Sequence, residues 1–205
     1  MPIIKVSLAF VALVVLGWRV DAGEVANIPE IGAHQPILVV EKNVNPQNRM
    51  IVYTKLDANG RFMTDPADRE RPMLDFYWLM DGKSYKPVNV LIKNEIRRRF
   101  VGEWSVESRA GNFVVSLNDL KEVACDIQDP KMEIRARETE GGTTVEAQMK
   151  LGPSDGNMRI RVSSIYSEGR SFPPGVDAVT LKGEEIVNGK PTGKKVARRY
   201  VAAGK

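Results

Sequence analysis

The chain has 205 residues, with 42% hydrophobic and 27% charged side chains, a net charge of +4, one His and one Cys. This composition is that of a folded globular protein and excludes a disordered chain. A single cysteine excludes a disulfide scaffold, and a single histidine excludes sites that need two or more. Any Ser-His-Asp or Cys-His catalysis would therefore depend on His34 alone.

The first 22 residues have the pattern of a secretory signal peptide. Lys5 precedes an uncharged apolar run over residues 6 to 18, and small residues stand near Ala22. Cleavage after Ala22 would leave 183 residues with 28 basic and 25 acidic side chains. The apolar run is shorter than the roughly 20 residues that span a bilayer, so we expect a periplasmic or secreted protein whose mature chain has no transmembrane segment. The weak positive charge does not favour a nucleic-acid partner.

The remaining chain has the length of one domain. Residues 23 to 35 are interpreted as an irregular leader and residues 36 to 205 as a single β-rich domain. His34 falls in this leader, where an exposed linker histidine is the expected role. The polar stretch Thr64 to Pro72 and the Pro-Gly stretch Ser171 to Gly175 predict surface loops.

Short β-branched and apolar runs bounded by Gly, Pro, Asn and Asp predict a mainly β fold, an antiparallel barrel or sandwich. The predicted strands are Ile37–Lys42, Met50–Leu56, Leu74–Met80, Phe113–Leu117, Val123–Ile127, Met132–Arg137, Val145–Leu151, Met158–Val162, Val176–Leu181 and Val196–Val201. Cys125 shares a strand face with Val123 and Ile127, which favours a buried thiol. An intermolecular disulfide or a reactive thiol remains the alternative.

Two runs around Gly141-Gly142 predict a β-hairpin with a two-residue turn. The predicted register places Arg137 opposite Glu146 and Glu133 opposite Lys150 on the outer face, so that opposite charges meet. The predicted inner pairs are Met132 with Leu151, Ile134 with Met149, and Ala136 with Ala147.

One amphipathic helix is predicted over residues 88 to 100. Val88, Ile92, Ile96 and Phe100 recur four residues apart and would form an apolar stripe. Pro87 near the start and Gly102 past the end fit the usual residues of helix termini.

The sequence predicts neither a metal nor a cofactor. Asp57 to Gly60 begins like a calcium loop, but Arg61 and Phe62 stand where that loop needs an oxygen ligand and a glycine. The Asn-Gly pair instead favours a tight turn between strands. Residues Gly152 to Asn157 also predict a turn. No phosphate loop or dinucleotide fingerprint occurs.

The candidate binding residues are Lys93, Arg97, Arg98 and Arg99, on the predicted helix. Guanidinium groups bind phosphate and carboxylate bidentately, so this cluster could dock an anionic partner; the alternative is a solvated helix face. A second basic cluster comprises Lys194, Lys195, Arg198 and Arg199. The aromatic residues Phe76, Tyr77, Trp78, Trp104 and Phe113 are expected in the core.

Several fragments resemble an exported bacterial family catalogued as domain of unknown function 4833. They are Asn48–Tyr53, Tyr77–Leu79, Leu91–Gly102 and Val179–Gly183 followed by Gly189. Phe100-Val101-Gly102 stands where the family would have Ala-Tyr-Gly. The resemblance implies export and one compact domain, without an activity or catalytic residues.

Taken together, these observations favour a non-enzymatic binding or structural module of the bacterial cell envelope. Its partner would be an anionic envelope component or an acidic protein, docked through the basic clusters. One alternative is a carrier of a small apolar ligand in a barrel interior, which an interior filled by Tyr53, Phe76, Trp78 and Met149 would exclude. The other is a hydrolase acting on glycans with carboxylates, which needs a carboxyl of raised pKa.

Overall fold

The structure is a computed structural model, and it describes residues 28–42, 49–80, 84–90, 93–94, 100–103, 112–123, 127, 130–140, 142–170 and 175–202. The strands are β1 (His34–Lys42), β2 (Arg49–Lys55), β3 (Thr64–Asp65), β4 (Asp68–Pro72), β5 (Leu74–Met80), β6 (Ser84–Pro87), β7 (Phe100–Glu103), β8 (Asn112–Leu117), β9 (Lys131–Thr139), β10 (Gly142–Lys150), β11 (Arg159–Arg170), β12 (Gly175–Val187) and β13 (Lys190–Val201). A short helix, α1, covers Asn118–Lys121, and Pro153–Asp155 forms a 3₁₀ turn.

Eleven strands form one large sheet, in the order β6-β5-β2-β1-β11-β10-β9-β8-β7, and β12 joins β11 to β13. The strands β3 and β4 pair separately. The large sheet is antiparallel except at β1 and β11, which run parallel. Among the described strands no pairing joins β6 to β7, so the sheet stays open and the mainly β fold is sandwich-like rather than a closed barrel.

Strand β11 connects the two parts of the sheet. Its first residues, Arg159 to Val162, pair with β10, and its later residues, Ser164 to Ser167, pair with β1. Because β12 pairs along nearly the whole of β11, β10 and β1 must share the opposite edge. The long β11 therefore places the hairpin β9–β10 beside the strands near the start of the chain.

One face of the sheet is packed into the main core. The largest buried side chains there include Phe76, Phe113, Ile134, Met149 and Leu181, each at most 2% exposed. Phe62 and Phe113 meet edge to face, with ring centroids 4.9 Å apart. Of the other aromatic residues expected in the core, Trp78 is partly buried against this cluster, Tyr77 is partly buried in another, and Trp104 lies outside the described residues.

The hairpin β9–β10 forms, but its predicted register is wrong by two residues. Arg137 lies opposite Thr144, and Glu146 lies opposite Arg135. The other observed pairs are Glu133 with Gln148, Met132 with Met149, Ile134 with Ala147, and Ala136 with Val145.

The turn explains the shift in register. Thr139 and Gly142 pair with each other and close the hairpin, so Gly142 belongs to β10 and is not the turn residue that the Gly-Gly prediction made it. Gly142 has φ +115° and begins β10, and the Thr139 hydroxyl donates to its carbonyl oxygen at 2.7 Å. Side chains alternate with a period of two, so a shift of two residues changes the partners and leaves both faces unchanged.

Three predicted local elements differ from the structure. Phe100 and Gly102 belong to β7, where they pair with Leu117 and Val115, so the predicted helix does not reach Phe100. Of its earlier residues, Val90, Lys93 and Asn94 are helical, and the Lys93 amide donates to the Asn89 carbonyl at 2.8 Å. Leu91, Ile92 and residues 95–99 lie outside the described residues.

The second difference concerns the predicted strand Val123–Ile127. Helix α1 ends just before Val123, which is buried in a bend, and Ile127 is partly buried outside any strand. Cys125 lies outside the described residues, so its buried thiol stays a prediction. The third is the polar stretch Thr64–Pro72, which forms the hairpin β3–β4 instead of a loop because its backbone groups pair with each other.

Candidate functional site

Of the four residues predicted to dock an anionic partner, the structure describes only Lys93. Lys93 Nζ donates to Oδ1 of Asp75, and the Lys93 side chain is only 24% exposed. Its charge is therefore directed at an internal carboxylate. Arg97, Arg98 and Arg99 lie outside the described residues, so their docking role stays a prediction.

His34 is not an exposed linker histidine. It begins β1, its side chain is 16% exposed, and its ring packs edge to face with Tyr77 at 5.8 Å. Nδ1 lies 2.8 Å from the carbonyl oxygen of Ile31 and Nε2 lies 2.9 Å from Oδ2 of Asp75. Both neighbours can only accept hydrogen bonds. Both ring nitrogens of His34 are thus directed at groups of the protein itself.

These contacts hold the segment before β1 against the outer side of the sheet. Asp75 accepts from both His34 and Lys93. Burial raises the pKa of Asp75, but the hydrogen bonds and positive charges of Lys93 and His34 outweigh burial, and the pKa lies below its ordinary value. The buried Tyr53 hydroxyl donates to the carbonyl oxygen of Pro29 at 3.2 Å, and burial raises the pKa of this phenol.

The second basic cluster is largely engaged in ion pairs. Arg199 binds Glu168 through two nitrogens, each 2.9 Å from a carboxylate oxygen. Lys194 lies 3.3 Å from Glu185, and Arg198 pairs with Asp155. These side chains fix β13 to neighbouring parts of the chain, and they leave less charge for a partner than the sequence suggested.

The structure gathers a different set of basic residues on the outer face of β8 to β13. We call this set the basic face; its charged and amide side chains are Asn112, Lys131, Glu133, Arg135, Arg137, Glu146, Gln148, Lys150, Arg159, Arg161, Glu184 and Lys195, and the register places Val114, Ser116, Thr144 and Ile186 among them. Side chains on this face are joined across strands by hydrogen bonds, whereas their neighbours along each strand point into the core. Among these described residues, seven are basic and three are acidic.

Arginines neutralise two of the three carboxylates of the basic face, those of Glu133 and Glu184. Glu133 accepts from Arg135 at 2.8 Å and lies 3.8 Å from Arg159. Glu184 accepts from Arg161 at 2.6 Å and from the Gly193 amide. Burial opposes ionisation of both carboxyls, yet these donors hold the pKa of each below its ordinary value.

Two basic side chains of this face are direct neighbours. Lys150 of β10 lies opposite Arg159 of β11 in the ladder. Both residues are exposed. Like charges opposite each other destabilise a sheet, and the contacts of Arg159 with Glu133 at 3.8 Å and Gln148 at 3.3 Å offset part of this repulsion. Lys131 stands at the adjoining end of β9, beside Lys150, and it is also exposed.

A cleft of about 490 Å³ adjoins the basic face, between residues 155–159, which lead into β11, and residues 185–189, where β12 ends and turns into β13. Arg159 belongs to both the cleft and the basic face. Asn157 and Asn188 are exposed at its rim with φ of 57° and 51°. A cleft of this size falls within the usual range for small-molecule sites.

The turns predicted at Asp57 to Gly60 and at Gly152 to Asn157 are confirmed. The Asp57 carboxylate accepts from the amides of Asn59 and Arg61 at 2.8 and 2.9 Å, and the Arg61 bond contributes most to lowering its pKa. Residues Gly152 to Asn157 form the 3₁₀ turn. Among the described residues, no group of three or more His, Cys, Asp or Glu side chains could hold a metal ion.

The described part of the chain lacks the features that the two alternative functions need. Phe76 and Met149 are packed in the main core and Tyr53 in a smaller cluster, which does not favour a carrier cavity. Among the described carboxyls, those of Asp57, Asp75, Glu133, Glu168 and Glu184 have a pKa below its ordinary value, whereas a glycan hydrolase needs a carboxyl whose pKa is raised. No helix in the described part of the chain has the length and apolar character to cross a membrane.

Comparison with known proteins found no matching family model, no matching curated protein and no matching solved structure. The resemblance to domain of unknown function 4833 therefore stays a prediction.

Proposed function

We propose that this protein is an exported binding module of the bacterial cell envelope that docks an anionic envelope component. The observation that carries the proposal is the basic face, where seven basic side chains stand against three acidic ones. The carboxylates Glu133 and Glu184 are already bound by arginines, so the remaining field of this face is positive. A positive surface attracts anionic partners and orients their approach.

The proposed docking surface lies on the sheet and not on the predicted helix. Lys93 is occupied by Asp75. On the basic face, by contrast, Arg137, Lys150 and Lys195 are exposed, and they lie on three different strands of one sheet. A flat array of charges on a rigid sheet loses little conformational entropy when it binds an extended anionic surface.

The test is cosedimentation of the purified protein with bacterial envelope fractions over a series of salt concentrations. The triple variant R137Q/K150Q/K195Q should bind about tenfold more weakly at low salt, because three exposed charges contribute roughly 0.5 kcal/mol each. Binding by the unmodified protein should weaken as salt rises, since exposed charges are screened within about 8 Å at physiological ionic strength.

The matched control is K86Q/K121Q/K190Q, which removes three exposed lysines outside the basic face. It changes the net charge equally and should leave binding unchanged. Equal loss in both triples would show that net charge alone matters and would contradict the proposed surface. The variant R97Q/R98Q/R99Q tests the surface predicted on the helix; if this variant alone loses binding, docking occurs there.

A further inference from the structure

The neighbouring charges on the basic face form a row that crosses three strands. Lys131 of β9, Lys150 of β10 and Arg159 of β11 occupy successive positions, about 5 Å apart from strand to strand. Arg159 also donates to Gln148 at 3.3 Å, which holds its guanidinium on this face. A row of cations at this spacing matches a linear chain with regularly repeated anionic groups better than it matches one compact ion.

The row ends at the cleft, because Arg159 lines both. The two carboxylates of the cleft are already neutralised within the protein. Asp155 accepts from Arg198 and from the Tyr200 hydroxyl, and Glu185 pairs with Lys194. What the cleft offers a ligand beside Arg159 is therefore mainly uncharged: asparagine amides next to the apolar side chains of Met158, Ile186 and Val187.

The amides of Asn157 and Asn188 stand exposed at the cleft. Each amide can both donate and accept hydrogen bonds, as a hydroxyl-rich sugar ring requires. The row thus suits anionic groups, and the cleft suits an uncharged unit next to them that presents both hydroxyl groups and an apolar C–H face, as a sugar ring does.

Other occupants fit this surface less well. Among the described residues, neither the basic face nor the cleft contains an aromatic side chain. Protein interfaces are centred on aromatic and Arg anchors, and single-stranded nucleic acid needs aromatic platforms for its bases. Membrane-surface binding combines basic with apolar side chains. Of the exposed large apolar residues that the structure describes, Met63 and Val90 are outside the basic face and the cleft, and only Val187 lines the cleft, which is little apolar surface for insertion into a membrane.

We propose that an acidic polysaccharide lies across β9, β10 and β11, with its anionic groups against Lys131, Lys150 and Arg159 and one sugar unit in the cleft. This inference rests on the proposed function and names its partner class. The polymer chain runs perpendicular to the strands, since the row of cations does. Binding strengthens with chain length until both the row and the cleft are filled.

The experiment measures affinity for two probes, heparin fragments of increasing length and linear polyphosphate, by titration calorimetry at low salt. K150E reverses the central charge of the row and should lower the affinity for both probes about tenfold. K86E is the charge-matched control and should lower it less. N157G/N188G removes both amides without backbone strain, because glycine accepts a positive φ. This variant should lower the affinity for heparin about fivefold. The affinity for polyphosphate should stay unchanged, because polyphosphate lacks the hydroxyl groups that the amides would bind.

Each outcome decides between the two proposals. If the unmodified protein binds neither probe and no envelope material, the proposed function itself is wrong. If it binds heparin but K150E binds as K86E does, the placement on the row is wrong. If N157G/N188G changes the affinity for both probes or for neither, the cleft does not hold a sugar. Tight binding to vesicles of anionic phospholipid that K150E abolishes would make the occupant a membrane and overturn the polysaccharide.

Discussion

Single residues on this chain take roles that depend on distant partners. His34 and Asp75 are 41 positions apart in the sequence, yet their side chains lie 2.9 Å from each other. Lys93 approaches the same carboxylate from the segment after β6. The Asp75 carboxylate thus connects β1, β5 and the segment after β6. The role of His34 in these contacts is structural.

We expect Asp75→Asn to lower the free energy of unfolding by about 1–3 kcal/mol at neutral pH, because Lys93 and His34 lose an anionic acceptor. The pKa of Asp75 is lowered in the folded state. Its contribution is therefore complete above the ordinary carboxyl pKa, near 4, and is lost as pH falls through the lower folded-state value.

Urea unfolding at several pH values checks this expectation. The difference in stability between the unmodified protein and D75N should be large at pH 7 and shrink in acid. Asp57→Asn is the control, because Asp57 also has a lowered pKa but is exposed and accepts only from backbone amides of its own turn. A difference between D75N and the unmodified protein that stays constant down to strongly acid pH would contradict the role given to this carboxylate.

At the scale of elements, the hairpin β9–β10 shows which features alternation can predict. The alternation correctly predicts Met132, Ile134 and Met149 as inward residues, and all three are buried. It does not determine the register, because a shift of two residues leaves the same faces buried. Both registers also place opposite charges together, so the turn geometry at Gly142 decides between them.

A close approach between β11 and β12 gives a prediction at this scale. A Cβ atom on Gly183 would lie 2.3 Å from the carbonyl oxygen of Arg161, a backbone atom that cannot move without disturbing the ladder. We expect Gly183→Ala to lower the free energy of unfolding by about 3 kcal/mol, measured by denaturant titration.

Gly169 offers a matched control on β11. Its added Cβ would meet the nearest heavy atom, the Gly175 carbonyl oxygen, at 3.7 Å, which is an ordinary contact. Gly169→Ala should therefore change stability by no more than about 0.5 kcal/mol. If the two variants are equally stable, β11 and β12 are not as close at Gly183 as the structure shows.

At the scale of the whole molecule, binding surface and core arise from the same sheet. The basic face draws side chains from strands that begin at residue 112 and end at residue 201. Its members come together because β11 accepts β10 on one edge and β12 on the other. No local stretch of sequence contains all of these residues. The sequence pattern therefore indicates only the charge runs at 97–99 and 194–199.

Export is the whole-molecule prediction that the sequence supports. When the full sequence is expressed in a bacterium, we expect to recover the protein from the envelope or the medium. Intact-protein mass spectrometry should give the mass of a chain that begins at Gly23. Ala22→Arg should block processing, because signal cleavage requires a small residue at that position.

Ala26→Arg is the matched control, since it places the same charge four residues beyond the predicted cleavage position. Processing should continue normally in this variant. An exported protein that keeps residues 1–22, or one that never leaves the cytoplasm, would contradict the signal-peptide prediction.

The sequence by itself determined the β class, most strand positions and the inward residues, because burial imposes a period of two wherever one sheet face is covered. The strand Leu74–Met80 was predicted to the residue. The tertiary structure alone decided the parallel pairing of β1 with β11 and the register of β9 against β10, which differs by two residues from the prediction. It also decided that His34, Lys93 and Arg198 bind carboxylates of the protein itself. Such choices depend on contacts between residues far apart in the chain, which local patterns do not encode.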